Sequence, residues 1–164
     1  MRSSCVDFDS AKSLRASDLE NAGESSDEAS FLIRGSDLNA FVETTQGIRI
    51  IAYPLYVEAQ SNPIMKKFVF AYFVRIENNS DQSVQLLRRH WFIRDSNGKT
   101  DEVEGAGVVG QQPFIPPGHA HEYNSFCVLE TFEGAMKGTY LMQRENGEQF
   151  KAVIPRFILR AAAN

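Results

Sequence analysis

The sequence predicts an all-β domain of about seven or eight antiparallel strands, folded as an immunoglobulin-like or fibronectin type III-like β-sandwich. Three observations carry this expectation. From Gly47 onward, apolar and β-branched runs recur between turn signals at regular spacing. The chain holds 12 Phe and 5 Tyr, residues that suit a pleated, half-buried surface. Ser96-Asn97-Gly98-Lys99 and Glu145-Asn146-Gly147 are strong hairpin turns. A small barrel is the alternative closure. The domain is expected over residues 37–162. Residues 1–36 read as a mostly disordered tail, rich in Ser and acidic side chains and poor in apolar ones.

The elements follow in chain order. The first strand is expected over residues 47–59, with Pro54 placing it at an edge or a bulge. Residues 67–77 form the second. Phe68, Phe70, Tyr72, Val74 and Ile76 alternate onto one face, and Val69, Ala71 and Phe73 onto the other, so this strand should be central and covered on both sides. Asn78-Asn79-Ser80-Asp81 turns the chain into a third strand over residues 83–95. Residues 100–104 enter a glycine-rich loop, 119–129 follow Pro117-Gly118, and 135–144 pair with 148–154. Pro155 then opens a closing segment that ends near Leu159.

Composition narrows the function. A chain of 164 residues accommodates one domain plus a tail. The formal charge of -4 argues against nonspecific nucleic-acid binding, which depends on neutralising phosphates. No apolar run approaches a membrane span, and no apolar signal region follows Met1, so a cytoplasmic location is expected. Cys5 and Cys127 sit in a polar and an apolar segment respectively, which disfavours a disulfide. Two cysteines alone cannot build a zinc site.

The segment Gly105-Ala106-Gly107-Val108-Val109-Gly110 has the spacing G-x-G-x-x-G. A dinucleotide fingerprint needs a helix opening at the glycines, and Pro113, Pro116 and Pro117 forbid one. The glycines then serve either a demanding loop geometry or a nest of N–H groups that receives an anion. Arg88 and Arg89 stand near enough in sequence to assist such a nest. On strict alternation Arg89 falls between Leu87 and Trp91 on the core face, where its charge needs a partner, with Glu102 and Glu104 as candidates. His90 should point with Arg88 and Phe92 to the opposite face. His119 and His121 share a strand face but have no third ligand at a recognisable spacing, so no metal site is expected. No acid–base–nucleophile arrangement is visible, and neither an enzyme activity nor a cofactor is expected.

These stretches resemble the ApaG (DUF525) domain family. The resemblance covers about residues 40–160 and rests on several runs. They are Phe68-Val69-Phe70-Ala71-Tyr72, Leu86-Leu87-Arg88-Arg89-His90-Trp91, the glycine segment through Pro113, Pro117-Gly118 and Tyr123-Asn124-Ser125. Gly134-Ala135-Met136-Lys137-Gly138-Thr139-Tyr140 and Ile154-Pro155-Arg156-Phe157 complete them. Ala106 and Gln111 depart from the pattern, standing where acidic residues are common. The resemblance implies a β-sandwich, often a homodimer in bacterial members. Bacterial relatives are linked to diadenosine tetraphosphate hydrolysis by gene neighbourhood and to cobalt and magnesium tolerance by phenotype. Eukaryotic relatives carry the domain in F-box proteins and in a DNA-polymerase-interacting protein. The implied function is a non-catalytic interaction domain with an unidentified protein partner. The alternative is a regulatory module that binds phosphate, pyrophosphate or a nucleotide through Gly105, Gly107, Gly110, Arg88 and Arg89.

Overall fold

A computed structural model describes residues 40–161. The expectation for residues 1–36 and the position of Cys5 lie outside this range. Among the described residues there are nine strands: β1 (Phe41–Thr45), β2 (Ile48–Tyr56), β3 (Phe68–Asn78), β4 (Val84–Asp95), β5 (Thr100–Ala106), β6 (Phe114–Ile115), β7 (Ala120–Leu129), β8 (Glu133–Arg144) and β9 (Gln149–Arg160). They form two sheets, ordered β1-β2-β3-β7 and β5-β4-β8-β9, with β6 pairing the start of β4. The chain is therefore a two-sheet β-sandwich, not a barrel.

The expected seven or eight strands become nine because two carried too little local signal. β1 has a mostly exposed pattern, and only the ring of Phe41 reaches the core, 6.4 Å from Phe157. Its strand conformation comes from pairing with β2 through a two-residue turn in which Gln46 and Gly47 have φ of 48° and 84°. That left-handed pair matches the twist of the strands it joins. β6 is only two residues long and exists by pairing Val84 and Gln85.

Pro54 lies inside a strand as expected, and Pro155, expected to open a separate closing segment, lies inside one as well. β1 pairs β2 only as far as Ala52, so Pro54 occupies the part of β2 that pairs β3 alone among the described strands. β9 is an edge strand and runs through Pro155 instead of ending before it. In both places the missing N–H removes no ladder bond on the open side.

β3 behaves as its sequence predicts. Phe70, Tyr72, Val74 and Ile76 enter the main core between the sheets, where they meet Trp91, Tyr140 and Phe157. Val69, Ala71 and Phe73 form a second buried cluster with Leu55 and Val57 on the other face. Asn78 ends the strand fully buried. Its Nδ2 donates to the carbonyls of Gln82 and Ile115, and its Oδ1 accepts from Ser80. That side chain, expected as a simple turn residue, ties the β3–β4 turn to β6. No helix of the described residues is long and apolar enough to cross a membrane.

Candidate functional site

The glycine segment begins inside β5, because Gly105 and Ala106 pair with Arg89 and Arg88 across the β4–β5 ladder. The chain then folds into a tight two-residue turn, with Val109 and Gly110 at φ of 47° and 73°. Val108 and Gln111 exchange both backbone hydrogen bonds, at 2.8 and 3.0 Å, and the N–H of Gly107 donates to the Leu87 carbonyl at 2.9 Å. Three of the amides that could face an anion are thus directed at carbonyls of the fold itself. Gly107 is required by contact as well as by φ, since a Cβ there would sit 2.2 Å from the carbonyl oxygen of Gln111. The turn also delivers Val108 into the main core.

The two arginines do not converge. A register shift between Leu86 and Arg88 makes Leu87 the extra residue of a β-bulge, so Leu86, not Leu87, shares the core face with Trp91 and Ile93. Arg89 keeps the core-facing parity and lies along the glycine strand. Its Nη1 donates to the carbonyls of Ala106 and Gly107, at 3.1 Å each. A Cβ at Gly105 would come within 3.0 Å of the same nitrogen. Gly105 is therefore the space in which the Arg89 guanidinium rests. Arg88 points to the outer face, 3.9 Å from Glu104. Glu102, the other expected partner for Arg89, instead meets His90 at 2.5 Å. His90 lies on the outer face as expected, its ring 4.5 Å from that of Phe92.

His119 lies exposed in the turn before β7, whereas His121 points inward and stacks on Tyr123. Burial lowers the pKa of His121 below the ordinary imidazole value, and Glu122 opposes the shift by a smaller amount. The Tyr123 hydroxyl meets the Tyr140 hydroxyl inside the sandwich. Among the described residues no group of three His, Cys, Asp or Glu side chains is placed to hold a metal ion. Cys127 lies buried in the main core.

The family model for the DUF525 ApaG domain matches residues 58–144, from the end of the first hairpin to the end of β8. The chain belongs to the ApaG family. It is 50% identical over 115 residues to Protein ApaG of Methylobacterium nodulans, which covers 70% of this chain and 88% of that one. Protein ApaG of Brucella canis is 47% identical over the same extent. Among solved structures, the putative ApaA protein of Bordetella pertussis superposes with a TM-score of 0.69 at 43% identity, covering 71% of this chain and 95% of that one. A structural-genomics target solved by X-ray gives 0.66 at 48% identity over 70% and 86%.

One exposed feature of this ApaG domain was not anticipated from the sequence. The β2–β3 connection carries Ile64 and Met65, 92% and 73% exposed, and the β7–β8 turn carries Phe132 at 53%. The ring of Phe132 meets Phe68 edge-on at 6.3 Å, so the two connections lie at one end of the sandwich. The signal was present as apolar residues inside turns, but a turn has no periodicity from which exposure can be read.

Proposed function

We propose that this ApaG domain is a non-catalytic protein-interaction module, and that the end of the sandwich bearing Ile64, Met65 and Phe132 contacts its partner. The observation that carries this reading is the exposure of those three large apolar side chains at one end. Soluble domains expose single apolar residues freely, but a group of them marks a contact surface. The module reading also fits the strand order. The order β2-β3-β7 over β5-β4-β8-β9, with β1 added at one edge, supports an immunoglobulin- or fibronectin-type arrangement of A-B-E and C′-C-F-G sheets. Such sandwiches present loops at their two ends, where binding surfaces tolerate variation. The phosphate or nucleotide alternative at Gly105, Gly107 and Gly110 loses the amides of Gly107, Val108 and Gln111, which donate to carbonyls of the fold.

The test replaces Ile64, Met65 and Phe132 together by Ser. Being exposed, they should leave the urea midpoint unchanged. The wild-type domain, used as bait in extract from its own cells, should crosslink to a protein that the variant fails to capture. Sedimentation of both proteins shows whether that partner is a second copy of the chain. Identical capture by the wild type and the variant contradicts the proposal.

A further inference from the structure

The outer face of the β5-β4-β8-β9 sheet carries a cleft of about 400 Å³ lined by Glu43, Phe92, Lys137, Thr139, Val153 and Arg156, with backbone of β8 and β9 at its base. It lies on a different surface from the apolar end and does not depend on it. We propose that this cleft binds an acidic peptide segment of a partner protein, with Lys137 and Arg156 receiving its carboxylates.

A local irregularity builds the site. Along β9 the core-facing residues are Phe150, Ala152 and Ile154, then Phe157 and Leu159, so the alternation changes phase between Ile154 and Phe157. The cross-strand register shows the cause: Met136 pairs Phe157 and Gly138 pairs Ile154, leaving Lys137 of β8 opposite both Pro155 and Arg156. One residue against two is a β-bulge, a device that re-aims side chains. Without it, Arg156 would fall on the parity of Ile154 and face the core. With it, Arg156 turns out beside Lys137. The floor follows from the neighbouring ladder. Phe92 pairs directly with Lys137, and a Cβ at Gly138 would lie 2.1 Å from the His90 carbonyl, so β4 and β8 approach closely there.

Charge selects the occupant. Arg88, His90 and Arg160 on this sheet each meet a carboxylate, Glu104, Glu102 and Glu133 respectively. Neither Lys137 nor Arg156 has an ion-pair partner among the described residues. Two adjacent unpaired cations recognise anions, and the Arg fork can take a carboxylate in a bidentate manner. The rest of the lining favours a peptide over an inorganic phosphate. Phe92 and the partly exposed Val153 offer apolar contact beside the charges. Glu43 on the wall can accept a peptide N–H, whereas it repels a polyphosphate, which has no donor to offer at neutral pH.

The proposal is tested by titrating the isotope-labelled full chain, followed by backbone NMR, with three probes. These are an end-blocked heptapeptide alternating Glu and Leu, the same peptide with Lys for Glu, and inorganic pyrophosphate. The acidic peptide should move the amides of Lys137, Thr139, Val153 and Arg156 saturably, and the basic peptide should not. In Lys137→Gln/Arg156→Gln the affinity should fall at least tenfold, and raised salt should weaken the wild type in the same direction. Both side chains project from the sheet, so the variant should keep the wild-type urea midpoint. Serine replacement of Ile64, Met65 and Phe132 should leave this titration unchanged, which separates failure of the cleft from failure of the apolar end. Equal affinity in the charge variant overturns the proposal. So does an equal response to the basic peptide, a response to pyrophosphate with none to the acidic peptide, or silence with all three probes.

Discussion

Trp91 offers a direct measure of how this sandwich is held together. Its indole is fully buried, with Tyr72, Phe157 and Tyr140 around it at centroid distances of 5.5, 6.0 and 6.2 Å, all in edge-on geometry. Each such contact adds about 0.5–1.5 kcal/mol beyond area burial. Trp91→Ala should therefore cost about 3–5 kcal/mol, because three rings anchored on different strands cannot collapse into the space. Trp91→Phe should behave differently. The indole Nε1 has no hydrogen-bond acceptor among the described residues. A buried donor without a partner costs about 1–3 kcal/mol. Phenylalanine removes that penalty and loses roughly 2 kcal/mol of buried carbon. The two terms oppose, and the net change should stay within about 1 kcal/mol. Trp91 is the only tryptophan, so variants must be followed by circular dichroism in urea instead of by emission. The reasoning fails if Trp91→Phe costs as much as Trp91→Ala, which would mean that Nε1 has an acceptor. It fails equally if Trp91→Ala costs less than about 2 kcal/mol, for then the site collapses freely.

Other expectations can be checked on the same material. Gly107→Ala should destabilise by more than about 2 kcal/mol, since it combines an unfavourable φ with a clash against the Gln111 carbonyl; a neutral result in urea melts would remove the contact argument. Val109→Asn should raise stability by about 1 kcal/mol, because a β-branched residue is held at φ of 47° in a turn that suits Asn-Gly; a fall in the midpoint would show that the valine side chain contributes more than its strain costs. Burial favours the neutral form of His121, so its folded pKa lies below the unfolded one, and the unfolded chain takes up the proton first as pH falls. Stability should then decline as pH falls below the ordinary imidazole value of 6.5, and His121→Asn should show a smaller decline; equal declines would remove His121 as the source. Pyrophosphate at millimolar concentration should leave the amides of Gly107, Val108 and Gln111 unmoved in NMR titration, and saturable shifts there would restore the anion reading.

Period-two patterning and turn chemistry were enough to place most strands, the two-faced burial of β3 and the core position of Trp91. Each of these is a local property: alternation decides which face a residue takes, and Asn-Gly or Pro-Gly pairs decide where a strand stops. The departures all lie where a strand's conformation is decided by its neighbour. β1 and β6 exist by pairing. Pro155 continues β9 because sheet order leaves one side of that strand open. The bulge at Leu87 reset the alternation and put Leu86 in the core, and the bulge at Pro155 and Arg156 turned a cation outward. The candidate site divides in the same way. The glycines were visible in the sequence, and so was the need of Arg89 for a partner. That the partners include the backbone carbonyls of Ala106 and Gly107, with Gly105 giving the guanidinium its space, follows from cross-strand register. Register is set by hydrogen bonds between residues far apart in the chain, and one inserted residue reverses every side chain beyond it. Local sequence thus determined the strands, their apolar faces and the facing of Arg88, Arg89 and His90, and only the tertiary pairing decided where a bulge re-aims a side chain, as at Leu86 and Arg156, and which partner each charged group meets.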